Sequence, residues 1–117
     1  MISLPAGVRI YLALEPCDMR RGFDGLALMV QQSLGKDPFA GHLYIFRGKG
    51  AGRLKILYAD QNGMCLFAKR LERGRFVWPM TRTPGGSVVL TPAELSLLLE
   101  GLEWRQTLPA RGPSVAG

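Results

Sequence analysis

The sequence predicts an α+β domain: an antiparallel meander of about five to six strands, one helix after the first strand and one C-terminal helix, both covering one sheet face. Three observations predict it. Short apolar runs between residues 42 and 78 are separated by glycine-bearing turns, the rhythm of hairpins. Two other segments carry helical signals, one an i, i+3, i+4, i+7 apolar face and one a leucine stripe behind a capping sequence. The chain has 117 residues, 47% hydrophobic and 21% charged, which suits one domain around one core. That domain is expected over residues 1–106. Residues 107–117, with Pro109, Gly112, Pro113 and Gly117, read as a disordered tail.

In chain order, Val8 to Leu14 alternates as a first strand and Pro16 stops it. Asp18 is placed to cap a helix whose face is Phe23, Leu26, Ala27, Val30 and Leu34, with Gly35 at its end. Gly22 and Gly25 weaken its first turns by roughly 1 kcal/mol each relative to Ala, and suit a close backbone approach. His42–Arg47 and Arg53–Ala59 are the second and third strands. The glycine-rich Gly48–Gly52 between them is expected to be a mobile tip. Asn62-Gly63 favours a type I′ turn into a fourth strand, Met64–Leu71. Gly74 offers a positive φ before a fifth strand, Arg75–Trp78, ended by Pro79. Ser87–Leu90 is the sixth. Thr91-Pro92-Ala93-Glu94 is a capping box with proline at the first helical position. Leu95, Leu98, Leu99 and Leu102 form the stripe that follows, with Trp104 closing over it.

No apolar run approaches bilayer length, and no basic stretch followed by an apolar one marks a signal peptide, so the expected location is cytoplasmic. Cys17 and Cys65 are distant and read as buried free thiols. One histidine and two isolated cysteines write no metal cluster, and no cofactor motif is present.

The charge is not evenly spread. From Arg47 to Arg82 the chain holds nine basic and two acidic residues, a net +7 within a protein of net +6. Concentrated cations on rigid elements are what a polyanion-binding surface needs, because neutralised phosphates release counterions. Arg47, Lys49, Arg53, Lys55, Lys69, Arg70, Arg73 and Arg75 are the candidate phosphate contacts, extended by Arg20 and Arg21 at the first helix. Tyr44, Phe46, Tyr58, Phe67, Phe76 and Trp78 interleave with them. Most must be core, and one or two on an exposed face would stack bases. The bland alternative is a solvated hairpin face whose long cations lie along apolar surface. No helix-turn-helix, zinc finger or RNA-recognition motif is present, so base-specific reading is not expected.

Catalysis is weakly signalled. Only Asp18 and Asp60 are placed to meet as a metal-binding carboxylate pair, and caps and turns explain them better. No serine lies in a nucleophile motif, and His42 begins a strand. A protein–protein adaptor is the third class, since arginine and aromatics also anchor interfaces. Retention on heparin or DNA, with its salt dependence, separates it from nucleic-acid binding.

Four blocks carry a resemblance. They are Asp18–Leu26 (DMRRGFDGL), His42–Gly48 (HLYIFRG), Cys65–Pro79 (CLFAKRLERGRFVWP) and Leu90–Arg105, with its LTPAEL and LEGLEWR segments. In order and spacing, over about residues 2–106, the chain resembles the TnpB-type accessory protein encoded by the second open reading frame of the insertion sequence sixty-six family. These proteins share only a name with the RNA-guided nucleases also called TnpB. The resemblance implies a non-catalytic bacterial protein that assists transposition beside a separate transposase, with the transposase and other proteins of the same element as partners. DNA binding through the basic hairpins is the expectation from charge, and an adaptor that holds the transposase without touching DNA is the alternative. Two departures sit at hairpin tips. Gly48–Gly52 is less basic than an arginine-rich loop, and Tyr58–Gly63 (YADQNG) replaces a Trp-Asp-Gly type of turn.

Overall fold

The computed structural model describes residues 4–80 and 84–105. The expected tail lies outside them. In chain order the elements are β1 (Ile10–Ala13), α1 (Phe23–Gln32), β2 (Leu43–Arg47), β3 (Arg53–Ala59), β4 (Met64–Arg70), β5 (Ser87–Leu90) and α2 (Pro92–Leu99). The class is α+β, with one five-stranded sheet in the order β4-β3-β2-β1-β5.

β2, β3 and β4 form the expected antiparallel meander, with Tyr44 opposite Leu57 and Ile56 opposite Phe67. The remainder is not a meander. β1 runs parallel to β2, pairing Ile10 with Leu43, and β5 runs antiparallel along the other side of β1. The cause is the helix between β1 and β2: it returns the chain to the end where β1 began, and a parallel neighbour follows. Asn62 and Gly63 do not adopt the positive φ of a type I′ turn. The Asp60 carboxylate instead accepts hydrogen bonds from the Asn62 and Gly63 N–H groups, which sets a wider turn.

The two helices lie on opposite faces, not on one. Ile10, Leu12, Leu43, Ile45, Leu54 and Ile56 pack with Leu95, Leu98 and Trp104 on the α2 face. Ala13, Tyr44, Phe46 and Leu57 pack with Leu26 and Val30 on the α1 face. β2 is buried along its whole length. A strand apolar on both sides needs cover on both, so one layer of helix cannot suffice. Phe23, assigned to the buried helix face, is 50% exposed, and Leu102 likewise. Asp18 does not cap α1. The N-cap is Gly22 without a side-chain bond, and Asp18 accepts from the Arg20 N–H. A Cβ at Gly22 would meet nothing within 4 Å, and one at Gly25 would meet the Arg21 side chain first, so neither glycine is needed for a close backbone approach.

Residues 75–78 form no strand. From β4 at one sheet edge the chain must reach β5 at the other, so it crosses the α2 face and buries Phe76 and Trp78 under itself. α2 then returns over the same face. It starts with the expected capping box, Glu94 N–H to Thr91 Oγ1 and Thr91 N–H to Glu94 Oε1. It ends in a Schellman motif. Leu102 N–H donates to Leu97 O, Gly101 N–H to Leu98 O, and Gly101 holds φ +74°. Trp104 follows, with its indole N–H on Val77 O at 2.7 Å.

Gly101→Ala should therefore destabilise the fold by ~1–2 kcal/mol, the left-handed penalty for a Cβ. The added methyl would also stand 3.3 Å from Leu71 Cδ1. Urea denaturation measures the loss, and Gly101→Asn should retain more stability than the alanine variant.

Candidate nucleic-acid interface

The candidate cations gather at one end of the sheet, where β2 and β4 finish and β3 begins. Strand alternation assigns their faces. Arg53, Lys55 and Arg70 stand with Leu57 on the α1 face. Arg47 and Lys69 stand with Leu54 on the α2 face, because Arg47 and Lys69 both flank Leu54 in register. The loop from β1 to α1 joins this end through Cys17 N–H donating to Arg47 O at 2.9 Å. That bond brings Met19, Arg20 and Arg21 alongside.

Two open clefts result. The α1-side cleft, about 510 Å³, is lined by Cys17, Asp18, Met19, Arg20, Lys49, Arg53 and Arg70 together with Gly48, Gly50, Gly52 and Leu71. The α2-side cleft, about 530 Å³, is lined by Arg47, Lys49, Arg75 and Arg105 with Phe76, Trp78, Pro79 and Met80. Lys55 and Lys69 line a shallower groove of about 420 Å³ that continues along β3 and β4. Arg73 is exposed at the turn before Gly74, and Arg21 is exposed beside α1.

These cations differ in what they do. Arg47 is only 3% exposed, and its guanidinium carbon sits 5.0 Å from the Trp78 ring centroid. It braces the cleft wall by a cation–π contact. Lys55 Nζ donates to Arg21 O, and Lys69 Nζ donates to Leu99 O, both at 2.7 Å. Lys69 thereby places its charge at the C-terminus of α2, where the helix dipole favours it. Arg20 pairs with Asp18, Arg70 with Glu72, and Arg105 with Glu103, all partly or fully solvated. Such pairs contribute little and open readily toward a stronger anion. Lys49, Arg53, Arg73 and Arg75 are exposed.

The Gly48–Gly52 tip is tied down, contrary to the expected mobility. Ala51 O accepts from Phe76 N–H at 2.9 Å and from the Trp78 indole N–H at 3.1 Å. Gly52 O accepts from Leu71 N–H. Ala51 holds φ +64°, a left-handed conformation that costs a non-glycine residue energy and persists only where surroundings enforce it. Arg105, outside the basic stretch, was not among the candidates. Its Nη1 donates to Trp78 O, so only the fold brings it to the α2-side cleft.

The acidic residues occupy structural posts. The Arg20 guanidinium beside Asp18 holds its carboxyl well below the usual range. The Asn62 backbone N–H, with the Cys65 thiol and Gly63 N–H, lowers Asp60. Asp18 adjoins the start of β3 and Asp60 follows its end, so a seven-residue strand, roughly 20 Å, keeps this candidate pair apart. Burial pushes the Cys17 thiol up, which keeps it protonated. Both cysteines are free, Cys17 buried and Cys65 half-buried against expectation. His42 Nδ1 accepts from Arg9 N–H, a structural role. Tyr44, Phe46, Phe76 and Trp78 are core, and Tyr58 and Phe67 are half-buried.

Known proteins give the chain its relatives. The model of the family described as IS66 Orf2 like protein matches residues 8–109. An uncharacterized protein of Sinorhizobium fredii, y4hO, is 46% identical over 97% of this chain and 99% of its own length. A second from the same organism, y4jC, is 41% identical over 89% of this chain and 87% of its own. No solved structure matches.

Two outcomes are expected from this geometry. Ala51→Gly relieves the left-handed strain and should leave melting temperature unchanged or raised, whereas the β-branched Ala51→Val should lower stability by about 2 kcal/mol. Glu103 is held down from the ordinary 4.5 to about 2, first by its side-chain hydrogen bond with Arg105. A depressed carboxylate stabilises above its ordinary pKa and ceases to as pH falls through the folded value. The Glu103–Arg105 contribution should thus be complete above pH 4.5 and vanish toward pH 2. Carboxyl-carbon NMR titration should show this, with Arg105→Ala returning Glu103 to the ordinary range.

Proposed function

Because this chain belongs to the IS66 Orf2-like family of insertion-sequence accessory proteins, we propose that it is a non-catalytic subunit of the transposition machinery that binds DNA through the cation-lined end of its sheet. One observation carries the reading: Arg20, Lys49, Arg53 and Arg70 in one cleft, and Lys49, Arg75 and Arg105 in the other, meet around a single rigid tip. Arg73 and Arg21 extend the same positive rim. Arg47, Lys55 and Lys69 support it from beneath, through Trp78, Arg21 O and Leu99 O. The contacts are to phosphates, since no helix is presented for a groove and no aromatic of the basic stretch stands fully exposed among the described residues. The non-catalytic part is supported by the posts held by Asp18, Asp60, Glu94 and Glu103, which cap, turn or pair.

An adaptor role toward the transposase is favoured by a different observation. At the far end of the sheet Leu4, Pro5, Val8, Leu43 and Tyr58 line an apolar groove of about 480 Å³ beside Phe39, which is 66% exposed. The two roles are compatible, one at each end.

Binding of the purified chain to a terminal inverted repeat and to a scrambled duplex, across a salt series, tests the proposal. Salt-sensitive binding to both is expected. Replacing Arg73 and Arg75 by Ala should weaken both alike and flatten the log K against log salt slope by roughly 0.9 per lost phosphate contact. No binding at low salt would leave the adaptor reading, with nuclease-treated co-purification with the transposase as its check.

A further inference from the structure

Three ion pairs join described residues, and all three stand at the cation-lined end: Arg20 with Asp18, Arg70 with Glu72 and Arg105 with Glu103. Each joins an arginine to a carboxylate two residues away, and solvent reaches all six side chains. Arg20 closes on Asp18 through Nε at 3.1 Å and Nη2 at 2.7 Å. Arg105 closes on Glu103 through Nε at 3.1 Å and Nη2 at 2.9 Å. A two-point guanidinium fork fits a phosphate as well as a carboxylate. The lysines of this end are held differently, since Lys55 and Lys69 donate to backbone carbonyls. Three other exposed acids, Glu15, Asp24 and Glu100, form no ion pair with a described residue.

We infer that Asp18, Glu72 and Glu103 stand in for DNA phosphates on the free protein and are exchanged for them on binding; the inference rests on the DNA-binding reading above. Magnitudes favour the exchange. Opening an exposed pair costs at most about fivefold in an equilibrium constant. At roughly 0.1 M salt, each neutralised phosphate favours contact about eightfold through counterion release. The margin is small, so the three carboxylates weaken the hold on DNA without preventing it. Two of them are also built to take their arginine back. The Arg20 N–H donates to Asp18 Oδ1 at 2.8 Å, and the Arg105 N–H donates to Glu103 Oε2 at 2.7 Å. These backbone bonds keep each carboxylate beside its arginine while the guanidinium is on a phosphate. Arg105 Nη1 stays on Trp78 O throughout. Release of the duplex is thereby assisted by anions the protein carries itself.

Binding of the full chain to one labelled duplex, across a salt series, tests the exchange. Asp18→Asn, Glu72→Gln and Glu103→Gln each remove a charge and keep an acceptor oxygen. Each should tighten binding about two- to fivefold. The salt slope should stay unchanged, because the arginine reaches a phosphate in either protein. A charge-matched set, Glu15→Gln with Asp24→Asn and Glu100→Gln, should tighten binding less than the three paired substitutions together. Carboxyl-carbon NMR at neutral pH should show Asp18, Glu72 and Glu103 of the unsubstituted chain shifting when duplex is added. Circular dichroism checks that these surface variants fold. Equal tightening by the two sets, or none by the paired set, overturns the exchange. So does a slope steeper by about 0.9 per paired substitution, which would mean that the pairs stay shut on DNA. Absence of salt-sensitive binding by the unsubstituted chain and by every variant overturns the DNA-binding reading itself, and the inference with it.

Discussion

The carbonyl of Ala51 holds the cation-lined end of this molecule together. It accepts two hydrogen bonds, from the Phe76 backbone and the Trp78 indole. Each arrives from the segment that crosses the α2 face. Without them a five-residue connection with three glycines would sample many conformations. With them, the β2–β3 tip is bolted to the core through Phe76 and Trp78, both buried. Arg47 then finds an aromatic face to lie on, and Arg105 reaches Trp78 O. The positive rim is therefore an extension of the hydrophobic core, not a fringe of loose side chains. Ordering cost is met on folding, which leaves less to lose on binding.

The same crossing explains the sheet. A chain that leaves β4 and must pair with β1 has to pass over one face, and it takes Phe76 and Trp78 down with it. α2 returns across that face and ends beside β4, where Lys69 meets the last turn of the helix. Gly101 reverses the chain there, and Trp104 seals the layer. The other face needs only α1, whose Leu26 and Val30 are completely buried. The cations gather where β2 and β4 finish and β3 begins, beside the last turn of α2 and the start of α1.

Much of this was legible in the residues. The capping box at Thr91, the boundaries of β3 and, to within one residue, of β2 and β4, the positive φ of Gly74 and the family itself follow from local pattern or from motif order. The parallel pairing of β1 with β2 was also within reach, since a helix between two strands is the usual crossover. What misled was placing both helices on one sheet face: the uninterrupted Leu43–Phe46 run of β2 signals burial on both faces, hence helices on both. The strand expected at Arg75–Trp78 failed for a tertiary reason. Alternating aromatics suit a strand, but here they serve a crossing segment whose partner, Ala51, is distant in sequence. The placement of Arg105 and the engagement of Lys55 and Lys69 with carbonyls were illegible for the same cause. Charge can be counted along a chain, but its partners are set by the fold.

The sheet's two edge strands, β4 and β5, have a further consequence. β5 is only four residues long, and β4 ends in Lys69 and Arg70, beside Arg53 of β3. Unpaired strands invite a second chain to add on, and short or positively charged edges discourage it. Two copies approaching through β4 would have to bury the charges of Lys69 and of the Arg70–Glu72 pair. Molecules brought close together should therefore resist fusing into a continuous sheet through this edge.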